Sequence, residues 1–198
     1  INGDIMGTLF VDKLDPQSGT ALEIGSSGDT MTVPSGATFN VAGTLQSGGA
    51  AISNAPAFLA TLSGDKGTYS AGATTKVQFD NEVIDTNSAY DPSTNYRFTV
   101  PSGFAGNYLI STGLNIQSTT NGRAVRVAIY KNGSQLYQGA YFLTSQYFQN
   151  DQPNVATVSG VVNLAVSDYI EIYGFMYDGG NHTFKSSTSF FSGFKLIW

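Results

Sequence analysis

Hydrophobic and polar residues alternate along most of the chain after Pro56, and an alternation of period two predicts strands. Phe58 to Leu62 is a first predicted strand and Lys76 to Phe79 a second. Tyr96 to Val100 makes a third, stopped by Pro101-Ser102-Gly103. Tyr108, Ile110, Thr112, Leu114 and Ile116 share one face of a longer strand. Val125, Val127 and Ile129 do the same before Lys131-Asn132-Gly133-Ser134, where Asn-Gly signals a hairpin. Val158, Val162, Leu164 and Val166 lead to a turn at Ser167-Asp168. The next strand runs from Tyr169 to Tyr177 and ends in Asp178-Gly179-Gly180-Asn181, and the last covers Ser189 to Trp198. No window of a dozen residues carries a capped apolar period of 3.6. Many short antiparallel strands at regular spacing predict an all-β sandwich or jelly roll. Its expected core is Phe58, Phe98, Tyr108, Ile110, Leu114, Val127, Ile129, Val162, Leu164, Ile172, Phe194 and Leu196.

One predicted strand is apolar on both faces. Tyr169, Tyr173, Phe175 and Tyr177 line one, and Ile170, Ile172 and Met176 the other. Such a strand needs two partners. The core takes one face; a second subunit, a ligand or a long loop covers the other. Tyr packs its ring while its hydroxyl finds water or a partner. Tyr173, Phe175 and Tyr177 are therefore the expected subunit contact.

The first 50 residues have another pattern. Thr30-Met31-Thr32-Val33-Pro34-Ser35-Gly36-Ala37 aligns with Thr38-Phe39-Asn40-Val41-Ala42-Gly43-Thr44-Leu45. Ala21 to Gly28 fits the same frame with Asp29 as one extra residue. Each unit holds two apolar residues spaced by two and then a glycine turn. A strand so short buries its apolar edge only by stacking on copies of itself; the other reading is a linker. The alternation is kept in all three units, which favours a short β-repeat shaft completed by neighbouring chains. Residues 1–56 are thus read as shaft, anchor and neck, and 57–198 as the head.

Composition supports an all-β chain and narrows its chemistry. Only 12% of the 198 residues are charged, 13% are aromatic and 23 are glycine, a mix that suits strands and turns. The net charge of −5 does not suit nucleic acid, which needs clustered Lys and Arg. No apolar run approaches the roughly 20 residues of a membrane helix, so membrane insertion is not expected. Cysteine is absent, which removes disulfide and thiolate chemistry. A start at Ile1 in place of Met reads as a processed or trimmed end.

The closing segment Ser189-Phe190-Phe191-Ser192-Gly193-Phe194-Lys195-Leu196-Ile197-Trp198 resembles the last strand of the complement/tumour-necrosis-factor head family, Ser-x-Phe-x-Gly-Phe followed by apolar residues. Phe79, Asp85, Tyr90, Phe98 and Gly106-Asn107-Tyr108 resemble the family's central signature. Phe98 falls one residue late, the Gly two residues late, and Ile110 stands where the family has Phe. The resemblance covers 57–198. It implies a ten-stranded jelly roll, a homotrimer, and both chain ends at the base of the head. Gly7-Thr8-Leu9-Phe10-Val11-Asp12-Lys13-Leu14 and Gly28 to Thr38 resemble segments of bacteriophage fibre and virion surface proteins. Together these imply a non-enzymatic trimeric phage fibre, spike or capsid decoration on the virion surface. It would bind other virion proteins through its N-terminal segment and a host-surface glycan or protein through its head. Absence of Cys and of Gly-X-Y repeats sets aside an animal complement protein. The rivals are a soluble secreted ligand-binding module of the same fold and a polysaccharide-degrading enzyme.

Candidate chemistry is sparse. Asp80, Glu82, Asp85 and Asp91 cluster in a way that suits Ca²⁺ or plain turns; no Asp-x-Asp-x-Asp-Gly loop is present, so no metal is expected. His182 is the only histidine and no Gly-x-Ser-x-Gly elbow precedes it, so no catalytic residue and no cofactor are expected. Asn132-Gly133-Ser134 and Asn181-His182-Thr183 match glycosylation acceptors and read as turn residues. The end of the head far from the shaft is expected to comprise Lys131 to Gln135, Gln146 to Asn154 and Asp178 to Thr183. There Tyr147 and Phe148 offer stacking faces, and Asn150, Asp151, Asn181 and His182 offer hydrogen bonds, to a receptor.

Overall fold

The computed structural model describes residues 14, 18–22, 24–43, 45–47, 50–51, 55–118, 124–142, 154–177 and 180–197. It divides into two units, Ile1–Gly43 and Thr44–Trp198. In the first, the repeats give turns. The Asp29 amide donates to the Ser26 carbonyl and the Ala37 amide to that of Pro34, with Gly28 and Gly36 at positive φ. The described residues of this unit form no strand, and Ile24, Met31, Val33 and Phe39 stay exposed.

The second unit has no helix among its described residues. A small hairpin, β1 (Gln46–Ser47) and β2 (Ala50–Ala51), precedes the head. The head strands are β3 (Ala57–Thr61), β4 (Lys66–Tyr69), β5 (Thr75–Lys76), β6 (Asn81–Asp85), β7 (Tyr90–Asp91), β8 (Arg97–Thr99), β9 (Gly106–Ser118), β10 (Ala124–Lys131), β11 (Ser134–Phe142), β12 (Val155–Leu164), β13 (Tyr169–Tyr177) and β14 (His182–Lys195). They form two antiparallel sheets. One runs β12-β9-β14-β3-β6 with β4 beside β14; the other runs β11-β10-β13-β8-β7 with β5 beside β13. The inward residues of both interdigitate as a jelly-roll sandwich. Phe58 stacks on Phe98 at 4.7 Å and on Tyr90 at 5.5 Å, and Phe191 meets Phe58 edge-on at 4.8 Å. Gly174 faces this core because a Cβ there would lie 2.6 Å from Leu114 Cδ2 and 2.7 Å from the Phe184 ring.

Most of the expected core is buried, but Phe194 and Leu196 are not part of it: Phe194 is 39% exposed and Leu196 half-buried. The inward positions of the closing strand are Ser189, Phe191 and Gly193. Gly193 is there because a Cβ would meet Ile110 Cδ1 at 2.7 Å and Phe58 Cε1 at 2.8 Å. Period two then sends Phe190, Ser192 and Phe194 to the outer face. A bulge between Lys185 and Phe190, with Thr188 at φ +63°, resets the parity, so Phe184 and Phe191 both reach the core although their positions differ by an odd number.

Register fixes the ends of the head. Phe194 pairs with both Ala57 and Leu109, and Leu164 pairs with Gly106, so the chain enters and leaves at one end. Lys131 pairs with Ile170 at that same end, and Asn132 Nδ2 donates to Asp168 Oδ1 at 2.7 Å. The hairpin Lys131 to Gln135 therefore belongs to the base, contrary to expectation. Its Asn132 side chain is occupied, since Oδ1 also accepts the Tyr169 amide. The far end is where β9, β11 and β13 finish and β10, β12 and β14 begin.

Candidate functional site

Three parts of the head bear on function: the far end and two outer sheet faces. At the far end, Tyr147, Phe148, Asn150 and Asp151 lie outside the described residues. Asn181 is exposed, and its carbonyl accepts the Ser118 hydroxyl at 3.5 Å. His182 is not in a solvated loop. Strand β14 begins with it, pairing with Ser118 and Tyr69, and it is 1% exposed. Its ring sits 5.7 Å from Tyr69 and 5.6 Å from Phe184. Among the described residues neither ring nitrogen has a hydrogen-bond partner. Burial pushes its pKa below the ordinary histidine value. Buried in this way it offers no hydrogen bond to a receptor, and among the described residues no serine or carboxylate engages it as a catalytic triad would.

Three of the four clustered acidic residues are engaged within the fold, Asp85 and Asp91 by nearby amides and Asp80 by Ser63 and Lys66. Asp91 accepts the amides of Thr94, Ser93 and Asn95, which lowers its pKa. Asp80 loses by partial burial but gains more from Lys66 and Ser63, and is held at about 2. Asp85 accepts the amides of Tyr90 and Asn87 at 2.7 and 3.1 Å. Among the described residues no three His, Asp or Glu side chains converge on a metal position.

Across β12, β9, β14 and β3 the middle of the outer face carries apolar and small uncharged side chains. Val161, Leu109, Phe194 and Ala57 form one row across four strands, and Ser159, Ser111, Ser192 and Leu59 the next, ending at Ile84. Phe190 lies across Gly113, where a Cβ would be 2.7 Å from its ring. The stretches 57–61, 109–113, 155–164 and 190–194 contain no charged residue at all.

The outer face of the other sheet carries the aromatic residues singled out in the sequence. Tyr173 is half-buried and packs against Tyr130, the rings tilted by 37° with centroids 4.2 Å apart. Its hydroxyl donates to Glu171 Oε2 at 3.5 Å, and burial, reinforced by Glu171, raises its pKa. Glu171 is itself buried and paired with Lys76. The Arg126 guanidinium lies 5.3 Å from the centre of the Phe175 ring, and Tyr177 is 48% exposed at the strand end. Along β10 the outward side chains are Arg126, Ala128 and Tyr130. Ala128 pairs with Gln138 on one side and Tyr173 on the other. One small side chain among large ones leaves a cup of about 100 Å³ walled by Gln135, Gln138, Tyr173, Phe175 and Arg126. The cup was legible only in outline: the aromatic strand stood out, whereas Ala128 and the two glutamines acquire meaning through cross-strand register.

Comparison of the whole fold with solved structures gives three likenesses at the same level. The globular domain of zebrafish complement 1qA is 17% identical with a TM-score of 0.50, over 72% of this chain and 98% of that one. Eiger TNF from S. frugiperda is 17% identical with a TM-score of 0.51, over 71% and 90%. Murine APRIL at pH 8.0 is 14% identical with a TM-score of 0.50, over 71% and 98%. The head is similar in fold to complement and tumour-necrosis-factor heads. No family model matches the sequence, and no curated protein does. The jelly roll expected from the closing strand is thus what the chain forms, and its similarity extends over the part of the chain that carries the motif.

Proposed function

We propose that the chain is a non-enzymatic, homotrimeric jelly-roll head that binds a host-surface ligand and is displayed on a virion as a short phage fibre, spike or capsid decoration. The observation that carries the trimer is the uncharged middle of the outer face that β12, β9, β14 and β3 share. A contiguous apolar patch of this kind on a soluble head marks a contact surface. Of the two outer faces it fits self-association better, since Tyr173 and Phe175 share theirs with Arg126, Lys76 and Glu171. The burial of His182, with no serine or carboxylate on it among the described residues, supports a role without catalysis. The exposed apolar edges at Ile24, Met31, Val33 and Phe39 support an N-terminal stack completed by neighbouring chains and attached to other virion proteins. The virion reading rests on the sequence resemblance of Gly7 to Leu14 and Gly28 to Thr38 to fibre proteins. Three weak sites on one head gain by engaging a cell surface together.

Light scattering tests the trimer: the protein should have the mass of three 20.9 kDa chains, and Phe194→Asp should give folded monomers. A wild-type monomer at micromolar concentration refutes it. Electron microscopy of the source particle labelled at this protein tests the virion reading. Absence from every particle would favour the soluble secreted module.

A further inference from the structure

We propose that the cup over Ala128 binds one neutral sugar unit of a glycan through the side of the head. The inference rests on the reading of the chain as a ligand-binding head, but it needs neither the trimer nor the virion. Its site is separate from the far end, where receptor contacts were expected.

The chemistry of the walls points to this ligand. A pyranose is amphipathic: its C–H groups make an apolar face, and its hydroxyls ring the edge as paired donors and acceptors. The cup presents the same two kinds of surface. Tyr173 and Phe175 supply flat apolar walls. Gln135 and Gln138 are exposed opposite them, and each amide holds two donors and an acceptor, which suits hydroxyls better than a carboxylate or an ammonium would. The carboxylate nearest to it in register, Glu171, is spent on Lys76 and the Tyr173 hydroxyl, so it brings no free negative charge. The Arg126 guanidinium lies on Phe175 and closes one side.

The walls are also held before a ligand arrives. Tyr130 backs the Tyr173 ring, Glu171 takes its hydroxyl, and the floor belongs to the β10–β13 ladder. Fixed aromatic walls lose little entropy on binding, which is how a shallow site of about 100 Å³ gains useful affinity. A site for one ring on such a face fits a dissociation constant on the order of 1–10 mM for the isolated sugar, strengthened when several heads bind one surface.

The test is saturation-transfer NMR on the full chain with the methyl glycosides of glucose, galactose, mannose and N-acetylglucosamine. At least one should receive transfer, competitively with its free sugar. Gln138→Ala removes a wall from an exposed edge position and should weaken binding about tenfold with an unchanged melting temperature. Ala128→Leu fills the floor and should abolish it. Transfer to none of the four overturns the inference, as does equal transfer in wild type and both variants. Light scattering of Tyr173→Leu completes the set. A trimer that persists keeps the cup as a ligand site, and dissociation reassigns this face to a subunit contact and overturns the inference. The light-scattering and particle measurements on Phe194→Asp and wild type report on the trimer and the virion separately, so a cup without sugar and a head without trimer or virion give different results.

Discussion

Lowering the pH from 7.5 to 5 should loosen the head through His182. In the folded chain both ring nitrogens are buried with no partner among the described residues, and burial lowers the pKa. An unfolded chain has no such constraint and titrates near 6.5. Below about 6.5 the unfolded state therefore binds more protons than the folded one, and stability falls with falling pH. The contribution is fully present above the unfolded pKa and is lost as pH drops, by up to about 1.4 kcal/mol per pH unit until the folded pKa is reached. The sequence holds one histidine, so the part of the slope between about pH 7 and 6 belongs to it, while carboxylates add to the slope only near pH 5. His182→Phe replaces the ring with one that fits between Tyr69 and Phe184 and carries no polar atom. It should remove the slope and add about 1–3 kcal/mol at neutral pH, because an unsatisfied buried donor and acceptor disappear. Urea unfolding at pH 7.5, 6.5, 5.5 and 5, at one protein concentration, measures both effects. An identical slope in wild type and His182→Phe, or a less stable His182→Phe, would refute the reasoning.

Asp168→Asn acts in a different window: hydrogen bonds from Lys131 and Asn132 hold Asp168 at about 2, so its contribution is present above about 4 and lost as pH falls through 2. Acid titration of the variant should lack that part of the loss, and an unaltered acid limb would count against the hairpin anchor. Gly139→Ala should destabilise by about 3 kcal/mol or more, because a Cβ there would lie 1.8 Å from the Thr157 carbonyl oxygen, which is backbone and cannot move aside. Thermal unfolding reads it, and a melting temperature within a degree of wild type would show the closure to be loose. Replacing Gln146 to Asn154 with a Gly-Ser stretch should leave the trimer intact and reduce attachment to host cells; unchanged attachment would move the receptor contacts elsewhere, with capsid decoration then favoured.

Strand positions were legible wherever alternation ran unbroken. The face shared by Tyr108, Ile110, Leu114 and Ile116 is buried as the pattern requires. Phe194 was misplaced because a glycine occupies the inward position beside it, and a glycine gives no apolar signal of its own. His182 was misread because Asp178-Gly179-Gly180-Asn181 looks like a turn whose tip includes the next residue, whereas β14 starts at that residue. The base position of Lys131 to Gln135 follows from which strands pair, and local pattern carries no such information. The same limit hid the cup: Ala128, Gln138 and Tyr173 are far apart in the chain and meet only through register.

The way the two sheets close along β11 and β12 has a consequence for crowding. The free borders of both sheets lie against each other there: the Tyr137 hydroxyl donates to the Val161 carbonyl, Gly139 lets the Thr157 backbone approach, and Gly160 makes room for the Tyr137 ring. At the opposite borders β7 is two residues long and β6 carries Glu82 and Asp85 beside an irregular register with β3. An incoming strand finds no long, flat ladder to extend on either side. Copies held at high local density can therefore meet through side-chain surfaces without being templated into a continuous cross-β ribbon, and one substitution on such a surface is enough to retune how they meet.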